Sequence, residues 1–204
     1  MWKKLFARLR PPRIHPEYRE LFSQDDGQIV SLDCETTSLN IPEAELLSIA
    51  AVKIHGKRIL SSAAFQVLVQ PRTAPGHENV RIHGLRPSDV RDGLPPEDAL
   101  RGLLDFIGGR TLIGYYLDYD IAVLEKYLRP MLGGPLPNRK IEISSRYYDW
   151  RQRLYPGSYI DLHWDVMVDR LDIPMLPRHD AMNDAIMVGM MYLALEGKTA
   201  GRMP

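Results

Sequence analysis

Apolar positions along this chain follow two rhythms. Short runs that are apolar at nearly every position read as buried strands. Longer stretches with apolar residues every third or fourth position read as amphipathic helices. "QIVSLD", which begins at Gln28, is a run of the first kind. "ELLSIAAVKIHGKRILSSAAFQVLVQP" holds two more and turns at His55-Gly56-Lys57, so it predicts two strands joined like a hairpin. "TLIGYY" and "RKIEIS" predict two further strands. Helices are predicted in "PEDALRGLLDFIGG", which opens on Pro and acids and closes on Gly-Gly, and in "DIAVLEKYLRPM" and "SRYYDWRQRLY". "DLHWDVMVDRLD" and "HDAMNDAIMVGMMYLALEG" close the chain as helices. Residues 71–96 carry five prolines and three glycines around "VRIHGL"; a connection that long inside a compact domain is expected to be functional or partly ordered. Three strands followed by helix, strand, helix, strand and helices predict a three-layer α/β or α+β domain.

The first ten residues, "MWKKLFARLR", set Trp2, Leu5, Phe6 and Leu9 on one helical face with basic residues opposite, and Pro11-Pro12 ends the pattern. Residues 1–24 are therefore expected to form a basic amphipathic extension, and 25–204 the main domain. The extension is suited to packing on its own domain, on a second copy in a homodimer, or on a partner protein or anionic surface. The 204 residues, 45% hydrophobic and 25% charged, match a soluble globular chain. Lys+Arg and Asp+Glu are both 26, so bulk charge gives no vote for nucleic acid. A single cysteine, Cys34, excludes an internal disulfide and a cysteine-built zinc site, and fits a reducing cytoplasm. No apolar stretch approaches the roughly 20 residues of a membrane span.

The chemistry starts in "SLDCETTSLN". Strand side chains alternate faces, so Asp33 and Glu35 point the same way. Cys34 faces the other side and is expected in the core. Like charges held that close resist joint ionisation unless something positive joins them. Asp120 opens the helix after "TLIGYY", Asp184 lies within the apolar last helix, and His179 stands at its start. Each alone has a plain structural reading as a cap or surface residue. Four carboxylates with no obvious cationic partner at the strand ends point to a hard divalent cation, because Mg²⁺ and Mn²⁺ prefer oxygen ligands.

"DCETT" at 33–37, the Asp of "IGYYLDYD" at 120 and "HDAMNDA" at 179–185 resemble, in that order, the three motifs of the DEDDh exonuclease family, which includes the proofreading subunit of bacterial replicative polymerases. The likeness spans about residues 28–195. It implies a ribonuclease H-like fold with a mixed five-stranded sheet flanked by helices. It also implies a 3′–5′ exonuclease that releases nucleoside 5′-monophosphates from DNA or RNA with two divalent cations, Mg²⁺ or Mn²⁺. Asp33 would bridge both cations, Glu35 and Asp184 would complete the first site, and Asp120 would hold the second. His179 would be the general base. Thr36 and Leu39 would touch the terminal nucleotide, and "RIHGL" would bring His83 near the substrate. Single-stranded 3′ ends are the implied partner, with a polymerase or other protein reached through the N-terminal arm.

One departure stands out. The family's second motif usually has His-Asn upstream of its Asp, where this chain has Tyr115-Tyr116. One of these rings is expected to face the site and the other to pack away from it, as strand alternation would require. An exoribonuclease, and a binding or accessory subunit of low turnover, remain as alternative functions.

Overall fold

The structure, a computed structural model, describes residues 14–23 and 26–200. The expected basic extension thus lies largely outside the described residues.

Six strands occupy five positions in one mixed sheet. β1 (Ile29–Thr36) is central, β2 (Leu46–His55) pairs with it antiparallel, and β5 (Thr111–Gly114) pairs with it parallel. β6 (Lys140–Glu142) adds to β5 in parallel. The outer edge of β2 is shared by two short pieces, β3 (Arg58–Ile59) and β4 (Phe65–Leu68). The sequence pattern suggested one strand there. Instead a 3-10 turn at Ser61–Ala63 breaks it, so the fifth position is filled by two pieces. The 71–96 connection is more ordered than its prolines suggested. It contains α1 (His77–His83), ended by Gly84 in a left-handed conformation, and the short α2 (Pro87–Val90).

The remaining helices form the outer layers: α3 (Pro96–Ile107), α4 (Leu117–Leu132), α5 (Ile143–Leu154), α6 (Trp164–Leu171) and α7 (Ala181–Ala200). Alternation along β1 sorts the two cores. Val30, Leu32 and Cys34 join the core built with α3 and α4, including Leu103, Leu104, Leu124 and Leu128. The opposite core gathers Ile54, Ile113, Tyr147, Trp164, Met167, Met187 and Met191 from the sheet and from α5, α6 and α7. On that second face β1 offers Ser31, Asp33 and Glu35, and α7 packs across β1 and β2. Close approach needs small residues. A Cβ at Gly189 would stand 3.1 Å from Ile59 Cδ1, so a larger residue at this turn of α7 would need the Ile59 side chain to shift.

Two local features fix where α4 begins. A Cβ at Gly114 would lie 2.8 Å from Leu117 Cδ1 and 3.2 Å from the Leu32 carbonyl oxygen, so the chain can turn sharply from β5 into α4 only without one. Glu142, at the end of β6, then caps two helices at once. Its carboxylate accepts from the Leu117 amide at 2.9 Å and from the Ser144 amide at 3.1 Å, which satisfies otherwise orphaned donors of α4 and α5.

Candidate active site

Because β1 and β5 run parallel, both carboxyl ends lie on one side of the sheet, where the following segments meet. The β1–β5 pairing reaches only Ser31 opposite Ile113, so the last residues of β1 extend beyond that neighbour. A backbone amide left without a ladder partner needs another acceptor. Cys34 finds one in Asp120, whose Oδ1 accepts from its amide at 3.1 Å. One hydrogen bond therefore seats the first turn of α4 against the strand that carries the acids.

Asp33, Glu35 and Asp184 each place a carboxylate oxygen within 4.8 Å of the others. Asp120 is buried beside them. Burial pushes the Asp33 carboxyl well up, and the charges of Asp120, Asp184 and Glu35 add to it. Glu35 is raised to about 7, first by burial and then by Asp184 and Asp180. Burial also raises Asp120 and Asp184. Asp184 Oδ2 accepts from the His179 amide at 3.1 Å, whereas its Oδ1 is buried without a hydrogen-bond partner. Carboxylates this close, one of them with a buried oxygen that has no hydrogen-bond partner, fit a hard cation that takes oxygen ligands.

The loop before α7 is tightly held. His179 is left-handed (φ 62°), a conformation that costs a non-glycine residue energy and persists only under constraint. The constraints are visible: its own amide bonds Asp184, the Asn183 amide bonds Asp180 Oδ1 at 2.9 Å, and the Asn183 side chain bonds the Pro177 carbonyl at 3.0 Å.

Asp33, Glu35, Asp120, His179 and Asp184 line one cleft of about 540 Å³ together with every other candidate from the sequence: Thr36, Leu39, His83, Tyr115 and Tyr116. Their conditions differ. The Thr36 and Tyr119 hydroxyls lie 2.6 Å apart and both reach the Ser38 carbonyl, so their two protons serve two of these three contacts and Thr36 holds the loop after β1 in shape. Leu39 is 85% exposed at the rim. His83 Nδ1 accepts from the Leu85 amide at 3.1 Å while its Nε2 is buried without a partner; burial and the nearby His179 push the imidazole's pKa down.

The tyrosine pair departs from strand alternation because β5 ends at Gly114 and Tyr116 is itself left-handed (φ 55°). Both rings line the cleft, 4.6 Å apart and edge to face. Tyr115 is half-buried, donates to the Leu162 carbonyl at 3.2 Å and meets Trp164 edge-on at 5.1 Å. Tyr116 is 70% exposed.

Several residues of the cleft were not singled out from the sequence, His163 and Trp164 among them. The acids, too, have a cationic neighbour after all: Arg178 Nε stands 4.0 Å from Asp184 Oδ1. Its one sequence signal was its place directly before His179.

A mixed sheet with helices on both faces and acids gathered at the carboxyl end of its central strand is the ribonuclease H-like arrangement. The chain belongs to the Exonuclease family (RNase_T), whose family model matches residues 30–192. A DNA polymerase III subunit epsilon of Salmonella typhimurium is 28% identical over 180 residues, covering 83% of this chain and 71% of that protein. The epsilon subunit of Aquifex aeolicus is 26% identical over 113 residues, 55% of each chain. A PolC-type DNA polymerase III of Caldanaerobacter subterraneus subsp. tengcongensis is 25% identical over 163 residues, 78% of this chain but only 11% of that much longer protein. The chain thus spans about half of one of these relatives and about a tenth of another. Among solved structures, exonuclease X in complex with 5′-overhanging duplex DNA superposes with a TM-score of 0.64 at 19% identity, covering 86% of this chain and 94% of that one. Exonuclease I superposes at 0.73 with 14% identity, covering 85% and 42%. These likenesses support the fold.

Proposed function

We propose that the protein is a 3′–5′ exonuclease that hydrolyses single-stranded DNA or RNA from its 3′ end with the help of divalent cations. The observation that carries this reading is the convergence of Asp33, Glu35 and Asp184 within 4.8 Å in the cleft that also holds His179. In this reading Asp33, Glu35 and Asp184 would hold one Mg²⁺ or Mn²⁺, and Asp33 and Asp120 would help to hold a second. Bound there, such cations supply positive charge for the phosphodiester and for the oxygens that attack and leave.

The chain's own residues do the rest. His179 takes a proton from the attacking water as its oxygen bonds to phosphorus. The bond from phosphorus to the O3′ of the preceding nucleotide breaks, that O3′ takes up a proton from water to become the new 3′-hydroxyl, and a nucleoside 5′-monophosphate departs. The pinned loop at 177–180 fixes the backbone that carries the imidazole, which limits the motion needed to reach the transition state. Leu39 and Tyr116 at the rim offer apolar and aromatic surface to the terminal bases.

Residues 25–204 carry the exonuclease domain, and the basic segment at 1–24 is the arm for a polymerase or another partner, in keeping with relatives named as polymerase III chains. The reducing cytoplasm suits its lone thiol.

End-labelled linear and circular single strands, DNA and RNA in parallel, test the reading with Mg²⁺ or Mn²⁺ present. Linear strands should shorten stepwise from the 3′ end and circles should resist, while Asp33→Ala and Asp184→Ala should leave both uncut. Rapid cutting of circles would make the protein an endonuclease. A mobility shift without shortening would make it a binding subunit.

A further inference from the structure

Arg178 sits in this cleft in an unusual state. Its guanidinium lies over the Trp164 ring, 4.5 Å from the centroid. Its Nε is buried without a hydrogen-bond partner. The carboxylates it faces, Asp184 and Asp165, stand at 4.0 and 3.9 Å, beyond hydrogen-bond reach. A group placed only to neutralise the acids would close on one of them, since a charge-assisted bond at about 2.8 Å is far stronger than a contact at about 4 Å. This guanidinium is instead held back by its aromatic platform.

The platform has its own brace. Trp164 is nearly fully buried, and Tyr115 meets it edge-on while bonded to the Leu162 carbonyl. Tyr115 is one of the two residues that replace the family's usual His-Asn. The replacement therefore extends a row of aromatic groups from the rim at Tyr116, through Tyr115 and Trp164, to the guanidinium. A planar fork with unspent donors, fixed beside a cluster that accepts phosphodiesters, matches the paired oxygens of a phosphate.

We propose that Arg178, stacked on Trp164 and braced through it by Tyr115, is a phosphate-positioning residue that binds the non-bridging oxygens of one particular linkage near the 3′ end of the strand. This rests on the exonuclease reading, and adds to it which residue reads the backbone and why the tyrosine departure is tolerated.

The experiment uses full-length protein in EDTA, where no cleavage occurs. Binding is measured to a single-stranded oligonucleotide and to a set in which one linkage at a time, counted from the 3′ end, is a neutral methylphosphonate. Wild type should lose affinity for the strand neutralised at one linkage. Arg178→Ala should bind the natural strand about 10- to 100-fold more weakly, as for the loss of a charge-assisted bond. It should also be indifferent to that same methylphosphonate, and its salt dependence should be shallower by about 0.7 in log–log slope. Arg178→Lys, which keeps the charge without the fork, should retain part of both effects and guards against a folding defect in the alanine variant. Equal losses by wild type and Arg178→Ala at every methylphosphonate position would overturn the proposal and leave Arg178 as a counterion of the acids. If wild type binds no strand yet degrades linear strands once metal is added, this proposal alone fails; if it does neither, the exonuclease reading fails with it.

Discussion

Glu35 shows at the residue scale what crowding carboxylates does to stability. Its value of about 7 lies above the ordinary 4.5, so in the metal-free protein folding favours the protonated form. Stability from this group is complete below about pH 4.5 and is lost as pH rises through about 7. Its full size is about 3 kcal/mol, since each tenfold change in proton affinity is worth roughly 1.4 kcal/mol. Urea midpoints in EDTA should therefore fall between about pH 5 and pH 8, and Asp184→Asn, which removes the leading charge acting on Glu35, should flatten that slope. His179 behaves differently under mutation. His179→Ala should lower kcat by about 10²–10⁴, the range for a general base, while the rise in Tm with Mn²⁺ survives. Loss of the Mn²⁺ response would instead make His179 a metal ligand. Asp33 and Glu35 were legible from sequence because strand alternation is strict. Arg178 was not, because it lies in the loop before α7 and meets Trp164, at the start of α6, only in three dimensions.

At the scale of elements, the expectation that failed is the most instructive. Alternation predicts opposite faces for Tyr115 and Tyr116, but it governs residues only while they remain in a strand, and β5 stops at Gly114. The pair belongs to the entry of α4, where a left-handed residue resets the direction of both rings. Their roles should separate in measurement. Tyr115→Phe removes a hydrogen bond to the Leu162 carbonyl and should cost about 1 kcal/mol in denaturant unfolding. Tyr116→Ala should change stability by less than about 0.5 kcal/mol yet weaken single-strand binding by about 1–3 kcal/mol. Unaltered strand binding in Tyr116→Ala would remove the rim ring from the substrate path. Periodicity made the long helices plain, since α3, α4 and α7 each bury a broad apolar stripe. It missed the split of β3 from β4 and the helix α1, because "LSSAA" does not interrupt an apolar run strongly and α1 is flanked by the prolines and glycines that mark a loop.

At the scale of the whole molecule, the acids come from three places: Asp33 and Glu35 from the central strand, Asp120 from the helical layer on one face, and Asp184 from the layer on the other. A cation shared among them would bind the folded chain and not the unfolded one. Mg²⁺ or Mn²⁺ should thus raise Tm progressively with concentration, with a stabilisation of about 2.7 kcal/mol at roughly a hundred times Kd. A Tm indifferent to both metals would count against the cation site. The family resemblance, and with it the layered fold, was open to sequence reading because three short motifs kept their order. The order of the layers around them was not.

Asp33 and Asp184 are about 150 residues apart in the chain. A ribosome that has delivered β1, β5 and α4 has made a sheet with three of the four acids and neither Arg178 nor His179. Until α7 emerges and lies down on β1 and β2, the nascent chain cannot assemble the cluster at all. A nascent chain that stops before Asp184 therefore lacks the site, which needs α7 docked on the sheet.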